Sequence, residues 1–360
     1  MCALPIGLHA SVSEKQWGKD ATGHDVKLYT LDNGDLKMTV TNFGARVVRL
    51  DVPDIRGQRA DVVLGYDNAE QYLSDSNYFG AVVGRYGNRI KDGKFSLNGK
   101  FYQVPVNNMG NALHGGRKGF SSLLWTGRIE GSNAVEFKLT SADGDMGFPG
   151  TLEATVVYRL QANQVLIEYR ATSNQDTVVN LTSHSYFNLA GEARGDILDE
   201  QVTIHARRYT PVDRALIPTG ELADVTGTPF DFRIFHAIGQ RIAADDEQLR
   251  RGRGYDHNFV LDETSGSMRE AMVIRDPLSG RVLTISTTEP GLQFYSGNFL
   301  DGSVKGYTHR PYEVHGAFTA ETQHFPNSPN EPAFPTTRLN RGQIYSSKTC
   351  WTFTAAAPEH

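Results

Sequence analysis

Residues 181–189 read LTSHSYFNL and follow an apolar, strand-like run at 177–179. Hydrogen-bonding side chains occupy most of this stretch: Ser183, His184, Ser185, Tyr186 and Asn188. A strand buried on both faces does not tolerate this load, because each buried polar group needs a partner. Since side chains alternate along a strand, His184, Tyr186 and Asn188 are expected on one face, and Ser183, Ser185 and Phe187 on the other. We therefore predict a strand with one face in the core and one lining a pocket; a core histidine with satisfied hydrogen bonds is the alternative.

Strand patterns lie on both sides of this stretch. From Leu36 the chain reads LKMTVTNFGARVVRLDV, with apolar and polar residues alternating before Gly44. In FSLNGKFYQV (95–104), Asn98-Gly99 predicts a type I′ hairpin turn, and 276–285 has a weaker hairpin pattern. Further candidate strands are 134–140, 152–160, 164–172, 201–206, 271–276, 283–297 and 349–354.

Helical periodicity is scarce, and only 237–250 is expected to hold a short helix, ended near Gly252. The 36 glycines and 15 prolines supply the turns that an all-β chain requires. These features predict an all-β fold, a large antiparallel β-sandwich with few short helices. Without a linker or an internal repeat, residues 1–360 are expected to form a single domain, in which the role of residues 1–28 stays open.

The composition excludes several functional classes. The net charge is -5 and no run of five basic residues occurs, so nucleic-acid binding has no electrostatic basis. Cys2 and Cys350 are the two cysteines, which excludes a disulfide framework and a cysteine-based zinc site, although one bridge between them stays open. The sequence has no signal-peptide or transmembrane pattern. We expect a cytoplasmic protein that does not bind membranes, with export open if a leader preceded the sequence.

Five further stretches carry side chains suited to a polar ligand. GRYGNRI (84–90) places Arg85, Asn88 and Arg89 among glycines, either to anchor an oxygen-rich ligand or to pair with a structural carboxylate. NALHGG (111–116) holds His114 in a loop that a ligand could approach or that solvent covers. The other candidates are Asp256 in GYDHNFVL, Gln293 in TEPGLQFYSGN and Glu321 in AFTAETQHFPNSPN.

A metal site has little support from spacing. None of the 11 histidines falls in an HExxH-type pair. Asp256 and His257 point apart in an extended chain and are not expected to share an ion. A scattered site of His114, His184 and Glu321 stays open as the alternative to the expectation of no metal.

Six motifs occur in the order that one enzyme family keeps, from about Tyr29 to about Phe353. They are NRI (88–90), LHGG (113–116), NLTSHSYFNLAG (180–191), YDHNFVL (255–261), PGLQFYSGNFLDG (290–302) and ETQHFPNSPN (321–330). Together they resemble the aldose 1-epimerase, or galactose mutarotase, family. The resemblance implies a β-sandwich enzyme that interconverts the α and β anomers of free hexoses such as galactose and glucose, without a cofactor.

The resemblance also implies roles for individual residues. Glu321 matches the family's general base, His184 its general acid, and His114 a supporting histidine near the ring oxygen. The positions that match sugar contacts are Asn88, Arg89, Asp256 and Gln293. The implied partner is a small aldose, and the implied assembly is a monomer or homodimer.

The chemistry of a cyclic aldose agrees with this set of groups. Ring opening removes the proton of the anomeric hydroxyl and protonates the ring oxygen, which a carboxylate and a histidine can do at neutral pH. Three rival readings stay open: a carbohydrate-binding module, a hexose-phosphate epimerase, and a glycoside hydrolase using Asp256 and Glu321 as its two carboxylates.

Overall fold

The computed structural model describes residues 10–262 and 266–356. The strands of the first half are β1 Ser11–Lys19, β2 Asp25–Asp32, β3 Lys37–Thr41, β4 Arg46–Pro53, β5 Arg59–Asp61, β6 Ala81–Val83, β7 Arg89–Ile90, β8 Lys94–Leu97, β9 Lys100–Gln103, β10 Ala112–Leu113, β11 Thr126–Glu130, β12 Ala134–Ser141, β13 Leu152–Gln161 and β14 Gln164–Ser173. Those of the second half are β15 Thr177–Val178, β16 Thr182–His184, β17 Tyr186–Phe187, β18 Gln201–Ile204, β19 Ala206–Thr210, β20 Ala223–Asp224, β21 His236–Ala237, β22 Asp256–Leu261, β23 Arg269–Arg275, β24 Arg281–Thr287, β25 Gly291–Tyr295, β26 Phe318–Gln323, β27 Arg338–Leu339 and β28 Ile344–Ala355.

Helices are short throughout the described residues. The α-helices are α1 Ala69–Leu73 and α2 Glu247–Gly252, and the 3-10 helices are Lys91–Gly93, Phe120–Ser122, Asp145–Gly147, Ile238–Gln240 and Ser328–Asn330. No helix in the described ranges is both long and apolar enough to cross a membrane.

Three large sheets organise the strands. A five-stranded sheet has the order β1-β2-β3-β4-β5, a nine-stranded sheet β11-β12-β13-β14-β28-β24-β23-β18-β21, and a six-stranded sheet β17-β26-β25-β22-β19-β20. Four two-stranded pairs complete the pairing: β7 with β10, β15 with β27, β6 with β16, and β8 with β9. The all-β prediction is confirmed.

One hydrophobic cluster joins the three large sheets. It includes Val47 and Leu50 of β4, Phe137 of β12, Phe294 of β25 and Trp351 of β28, each at most 2 % exposed. Because these strands turn one face toward the same core, the opposite face of the six-stranded sheet is left for polar side chains.

Both predicted hairpins are confirmed. Asn98 and Gly99 have φ of 52° and 73° between β8 and β9, as a type I′ turn requires at its two central residues. The second hairpin joins β23 to β24 around 276–280. Residues 11–19, whose role the sequence left open, form β1 at the edge of the five-stranded sheet; Cys2 lies outside the described residues.

The predicted helix at 237–250 is wrong in extent. The segment begins as a strand, passes through the 3-10 helix Ile238–Gln240 and becomes α-helical only at Glu247. The physical reason is the N-cap, since the Asp246 side chain accepts from the backbone N–H groups of Gln248 and Leu249 and so fixes the start there. The predicted end near Gly252 is confirmed.

The predicted strand at 181–189 is two short strands. β16 pairs with β6, whereas β17 pairs with β26, and the chain passes between the two pairs at Ser185. The alternation therefore holds only as far as Tyr186 and Phe187. This break carries His184 to the edge of the six-stranded sheet.

Candidate active site

The polar face of the six-stranded sheet forms the floor of the site. Across adjacent strands, Asn258 of β22 lies opposite Gln293 of β25, and Gln293 lies opposite Glu321 of β26. Directly opposed residues of an antiparallel pair share a face, and Asp256 shares the face of Asn258 two residues away. Three predicted site residues that are far apart in sequence thus come from neighbouring strands.

Loops and a strand end bring in the remaining predicted residues. Asn88 and Arg89 lie at the start of β7, and His114 follows β10, which pairs with β7. The backbone N–H of His114 donates to the Asn88 carbonyl at 3.0 Å, which ties the two segments together. His184 ends β16, and its ring lies 5.0 Å from that of His114, edge to face.

These groups surround a cavity of about 440 Å³. Its lining includes six of the seven predicted site residues: Asn88, Arg89, His114, His184, Asp256 and Glu321. Gln293 lies behind this lining, where its Nε2 donates to Asp256 Oδ1 at 2.7 Å. A cavity of this size admits one small polar molecule.

Glu321 and His184 face each other in this cavity. Glu321 Oε1 lies 3.7 Å from His184 Nε2, and both side chains are buried. Burial, followed by the nearby Asp256 carboxylate, raises the pKa of Glu321 to about 8. Burial lowers the pKa of His184 to about 4. The ordinary carboxylate pKa assumed from the sequence does not apply to Glu321, because the effect of burial outweighs the opposing effect of the Arg89 cation.

His114 is a hydrogen-bond donor toward the cavity. The backbone N–H of Asn88 donates to His114 Nδ1 at 3.2 Å, so the neutral ring carries its proton on Nε2. Burial, with His184 and Arg89 nearby, lowers the pKa of His114 well below its ordinary range and keeps the ring neutral.

The hydrogen bond from Asn88 N–H to His114 Nδ1 also bears on whether the cavity could hold a metal ion. His114, His184 and Glu321 offer ligand atoms within 4.8 Å of one another, as a two-histidine, one-carboxylate zinc site would. A metal ligand needs a free lone pair, however, and His114 Nδ1 already accepts while Nε2 carries the proton. The donor set therefore disfavours a metal ion.

Asp256 is held by two neighbours. Gln293 donates to one of its oxygens, and Arg89 Nη1 lies 3.9 Å from the other. Burial raises the pKa of Asp256, while Arg89 and Gln293 oppose that rise. Arg89 Nε also donates to Asn108 Oδ1 at 3.2 Å. The result is a fixed patch of donors and acceptors that matches a molecule rich in hydroxyl groups.

Comparison with known proteins decides the family. The family model described as aldose 1-epimerase matches residues 27–351. Galactose mutarotase of Bos taurus is 45% identical over 331 residues, covering 92% of this chain and 95% of the bovine one. Galactose mutarotase of Homo sapiens is 43% identical over 350 residues, covering 96% of this chain and 100% of the human one. The crystal structure of galactose 1-epimerase from Lactobacillus acidophilus NCFM has a TM-score of 0.85 at 25% identity, covering 96% of this chain and 99% of that one.

The chain belongs to the aldose 1-epimerase family. It is an enzyme, a carbohydrate isomerase that interconverts the α and β anomers of aldoses. The resemblance found in the six motifs is confirmed.

The epimerase has cavity residues that sequence reasoning missed. The Tyr78 ring lies 4.7 Å from that of His114 and 5.6 Å from that of His184, so it covers both histidines. Asn108, Arg253 and Phe299 also line the cavity. Tyr78 lies in a loop without strand periodicity, and no local pattern distinguishes it from the other tyrosines.

Three residues that the sequence suggested for the site do not line the cavity of the epimerase. Asn188 was predicted on the pocket face, but it is fully buried and donates to the carbonyls of Gly195 and Gly316. Arg85 donates to the carbonyls of Pro149 and Gly150, so it holds a loop and not a ligand. His257 packs its ring 4.6 Å from that of Phe230 and does not line the cavity that Asp256 lines.

Proposed function

We propose that the cavity binds a free aldohexose such as galactose or glucose, with Glu321 as base and His184 as acid in ring opening. The observation that carries this proposal is the 3.7 Å approach of Glu321 Oε1 to His184 Nε2 within a buried, polar cavity. Glu321 takes the proton of the anomeric hydroxyl while His184 protonates the ring oxygen. The bond between C1 and C2 then rotates in the open aldehyde, and closure with the two roles exchanged gives the other anomer.

The proton count of the pair is consistent with this assignment. Between the two pKa values the pair holds one proton, which rests on Glu321. The reactive form, a carboxylate facing an imidazolium, holds the same single proton on the other partner. Ring opening therefore needs only an internal proton transfer and no exchange with solvent.

The remaining polar groups orient the sugar. His114 Nε2–H donates toward the ring oxygen side, and Asn88, Arg89, Asp256 and Gln293 hold the hydroxyls. Because these groups are buried and mostly fixed by one another, a sugar lacking a matching hydroxyl leaves them unpaired. That arrangement supports a catalytic reading over a carbohydrate-binding module, since binding alone does not need the Glu321–His184 pair.

The first test is polarimetry on freshly dissolved α-D-galactose and α-D-glucose with EDTA present. We expect the purified protein to accelerate the approach to equilibrium rotation without release of reducing sugar from an aryl glycoside. Unchanged rates with both sugars would contradict the proposed substrate. Acceleration with a hexose phosphate alone, or glycoside cleavage, would favour one of the rival readings.

Glu321→Gln and His184→Asn are expected to lower kcat by about 10²–10⁴-fold each, because each removes one proton-transfer group. Glu200→Gln is the matched control: Glu200 is also a buried carboxyl with a pKa raised by burial, but it accepts from Leu189 N–H and does not line the cavity. Near-normal turnover in either site variant, with the control intact, would remove the assignment.

We further propose that residues 1–360 form one domain, supported by the single cluster that spans the three large sheets. Within the described residues Cys350 forms no disulfide, which suits a reducing compartment such as the cytoplasm. We propose a monomer or homodimer that needs no cofactor and does not bind membranes or nucleic acid. Light scattering after gel filtration measures the assembly.

A further inference from the structure

Asn180 lies where three segments of the site meet. It is fully buried, and it immediately precedes the stretch 181–189 that leads to His184. Its backbone N–H donates to the Arg85 carbonyl at 3.1 Å, and its carbonyl accepts from Gly87 N–H at 2.7 Å. The backbone of Asn180 is therefore paired with the loop that carries Asn88 and Arg89.

The Asn180 side chain joins that loop to a third segment. Its Nδ2 donates to the Gly87 carbonyl at 3.3 Å and to the His324 carbonyl at 3.1 Å. Its Oδ1 accepts from the His324 N–H at 3.0 Å. His324 directly follows β26, the strand that carries Glu321. One amide thus spans the two segments that hold the sugar-binding groups and the base.

We propose that Asn180 is a positioning residue of the epimerase, which fixes the loop of Asn88 and Arg89 relative to Glu321. This inference rests on the proposed roles of those residues. Asn180 does not line the cavity, so it acts through the two backbone segments that it joins.

The expected loss of rate depends on which contacts remain when the side-chain amide of Asn180 is removed. Asn327 N–H still donates to the Arg89 carbonyl at 2.8 Å, so the segments stay connected. Without the amide, the unpaired carbonyls of Gly87 and His324 move to find new partners, and the binding groups shift relative to Glu321. A displacement of about 1 Å in a catalytic site lowers the rate by roughly a hundredfold.

Asn188 provides a matched control. It is likewise fully buried, donates from Nδ2 to two carbonyls, and accepts from Ala190 N–H at 3.0 Å. Asn180→Ala and Asn188→Ala therefore each remove three hydrogen bonds from one buried amide. The two variants differ in which segments are released.

The experiment measures kcat and KM for α-D-galactose and α-D-glucose well below the Tm of each variant. We expect Asn180→Ala to lower kcat by tenfold to a hundredfold and to raise KM, whereas Asn188→Ala, with a similar loss in Tm, keeps both within about threefold. Equal kinetics in the two variants, or a wild-type kcat in Asn180→Ala, would overturn the inference.

Two further outcomes are informative. If Asn180→Ala does not fold, Asn180→Ser is measured by the same criterion, and failure of both to fold while Asn188→Ala folds would assign Asn180 to the fold and overturn the inference. The wild-type assay separates this test from the proposed function. Absence of wild-type turnover refutes the proposed function, whereas wild-type turnover that Asn180→Ala retains refutes only the role of Asn180.

Discussion

Burial acts in opposite directions on the two groups that face each other in the cavity. It raises the pKa of Glu321 to about 8 and lowers that of His184 to about 4, because the loss of water outweighs the opposing charges of Arg89 and Asp75. Their neutral forms are favoured together, and the pair keeps one proton across the neutral range. In the proposed mechanism this single proton passes directly between Glu321 and His184.

The pH profile of kcat/KM should be bell-shaped as a result. Below about pH 4 His184 also gains a proton and the pair has no base, and above about pH 8 Glu321 loses its proton and the pair has no acid. The measurement is the initial mutarotation rate of galactose, corrected for the buffer-catalysed rate. A profile that stays flat through both limbs would contradict a Glu321–His184 pair.

The raised pKa of the Glu321 carboxyl should also make the stability of the protein depend on pH. In the unfolded chain Glu321 ionises near its ordinary pKa of 4.5, whereas in the folded protein it keeps its proton up to about pH 8. Between these values the folded state binds more protons, so this group's contribution to stability falls as the pH rises. Glu321→Gln has no carboxyl to ionise, so this fall in stability is absent from the variant. We therefore expect the Tm of the variant to exceed the wild-type Tm by more at pH 8 than at pH 5. A constant difference between the two pH values would show that Glu321 is already ionised in the folded protein.

At the scale of single elements, the sequence predicted those features that depend on neighbouring residues. The Asn98-Gly99 turn appears as predicted, and the candidate strands at 134–140, 152–160 and 164–172 are β12, β13 and β14. The break at Ser185 was not predictable, because alternation in one segment does not reveal which partner strand each half will find. Asn188 was misplaced for the same reason, since its face is set by the loop after β17 and not by continued alternation.

The identity of the site residues could be predicted from the sequence, whereas their geometry could not. Resemblance to a family supplied the seven residues, and six of them line one cavity. Sequence did not supply the 3.7 Å distance between Glu321 and His184, the burial that shifts their pKa values, or the contact of Tyr78 with both histidines. Those depend on how β16, β26 and the loop before β6 meet in three dimensions.

Strand β25 offers a test of how tightly the floor of the site is packed. A Cβ on Gly291 would lie 2.4 Å from Asn258 Oδ1 and 2.9 Å from the Phe325 ring. Gly291→Ala is therefore expected to lower the free energy of unfolding by about 1–3 kcal/mol, because both neighbours must move. Denaturant unfolding measures the change, and an unchanged midpoint would show that Asn258 and Phe325 rearrange freely.

At the scale of the whole molecule, the first and last strands of the described chain differ in how much of the fold depends on them. β1 lies at the edge of the five-stranded sheet and pairs with β2. β28 lies inside the nine-stranded sheet, between β14 and β24, and contributes Trp351 and Phe353 to the core. Removal of an edge strand shortens a sheet, whereas removal of an inner strand separates it into two parts with open edges.

Two truncations test this difference. Deletion of residues 1–19 should leave a folded, active epimerase with a modestly lower Tm, since the Trp17 ring contact with Tyr72 is lost but the cavity is untouched. Deletion from residue 344 onward should give no soluble, folded protein. Circular dichroism and mutarotation rates distinguish the two outcomes, and a folded product of the second deletion would show that β14 and β24 can close against each other.

The position of β28 has a consequence for synthesis of the protein. As a ribosome makes the chain, β14 and β24 emerge well before the strand that must lie between them. The core can close only when the segment containing Trp351 has left the exit tunnel. A messenger cut short before this segment yields an open sheet for quality-control proteases to remove, so in a cell a stop codon ahead of residue 344 amounts to loss of the enzyme.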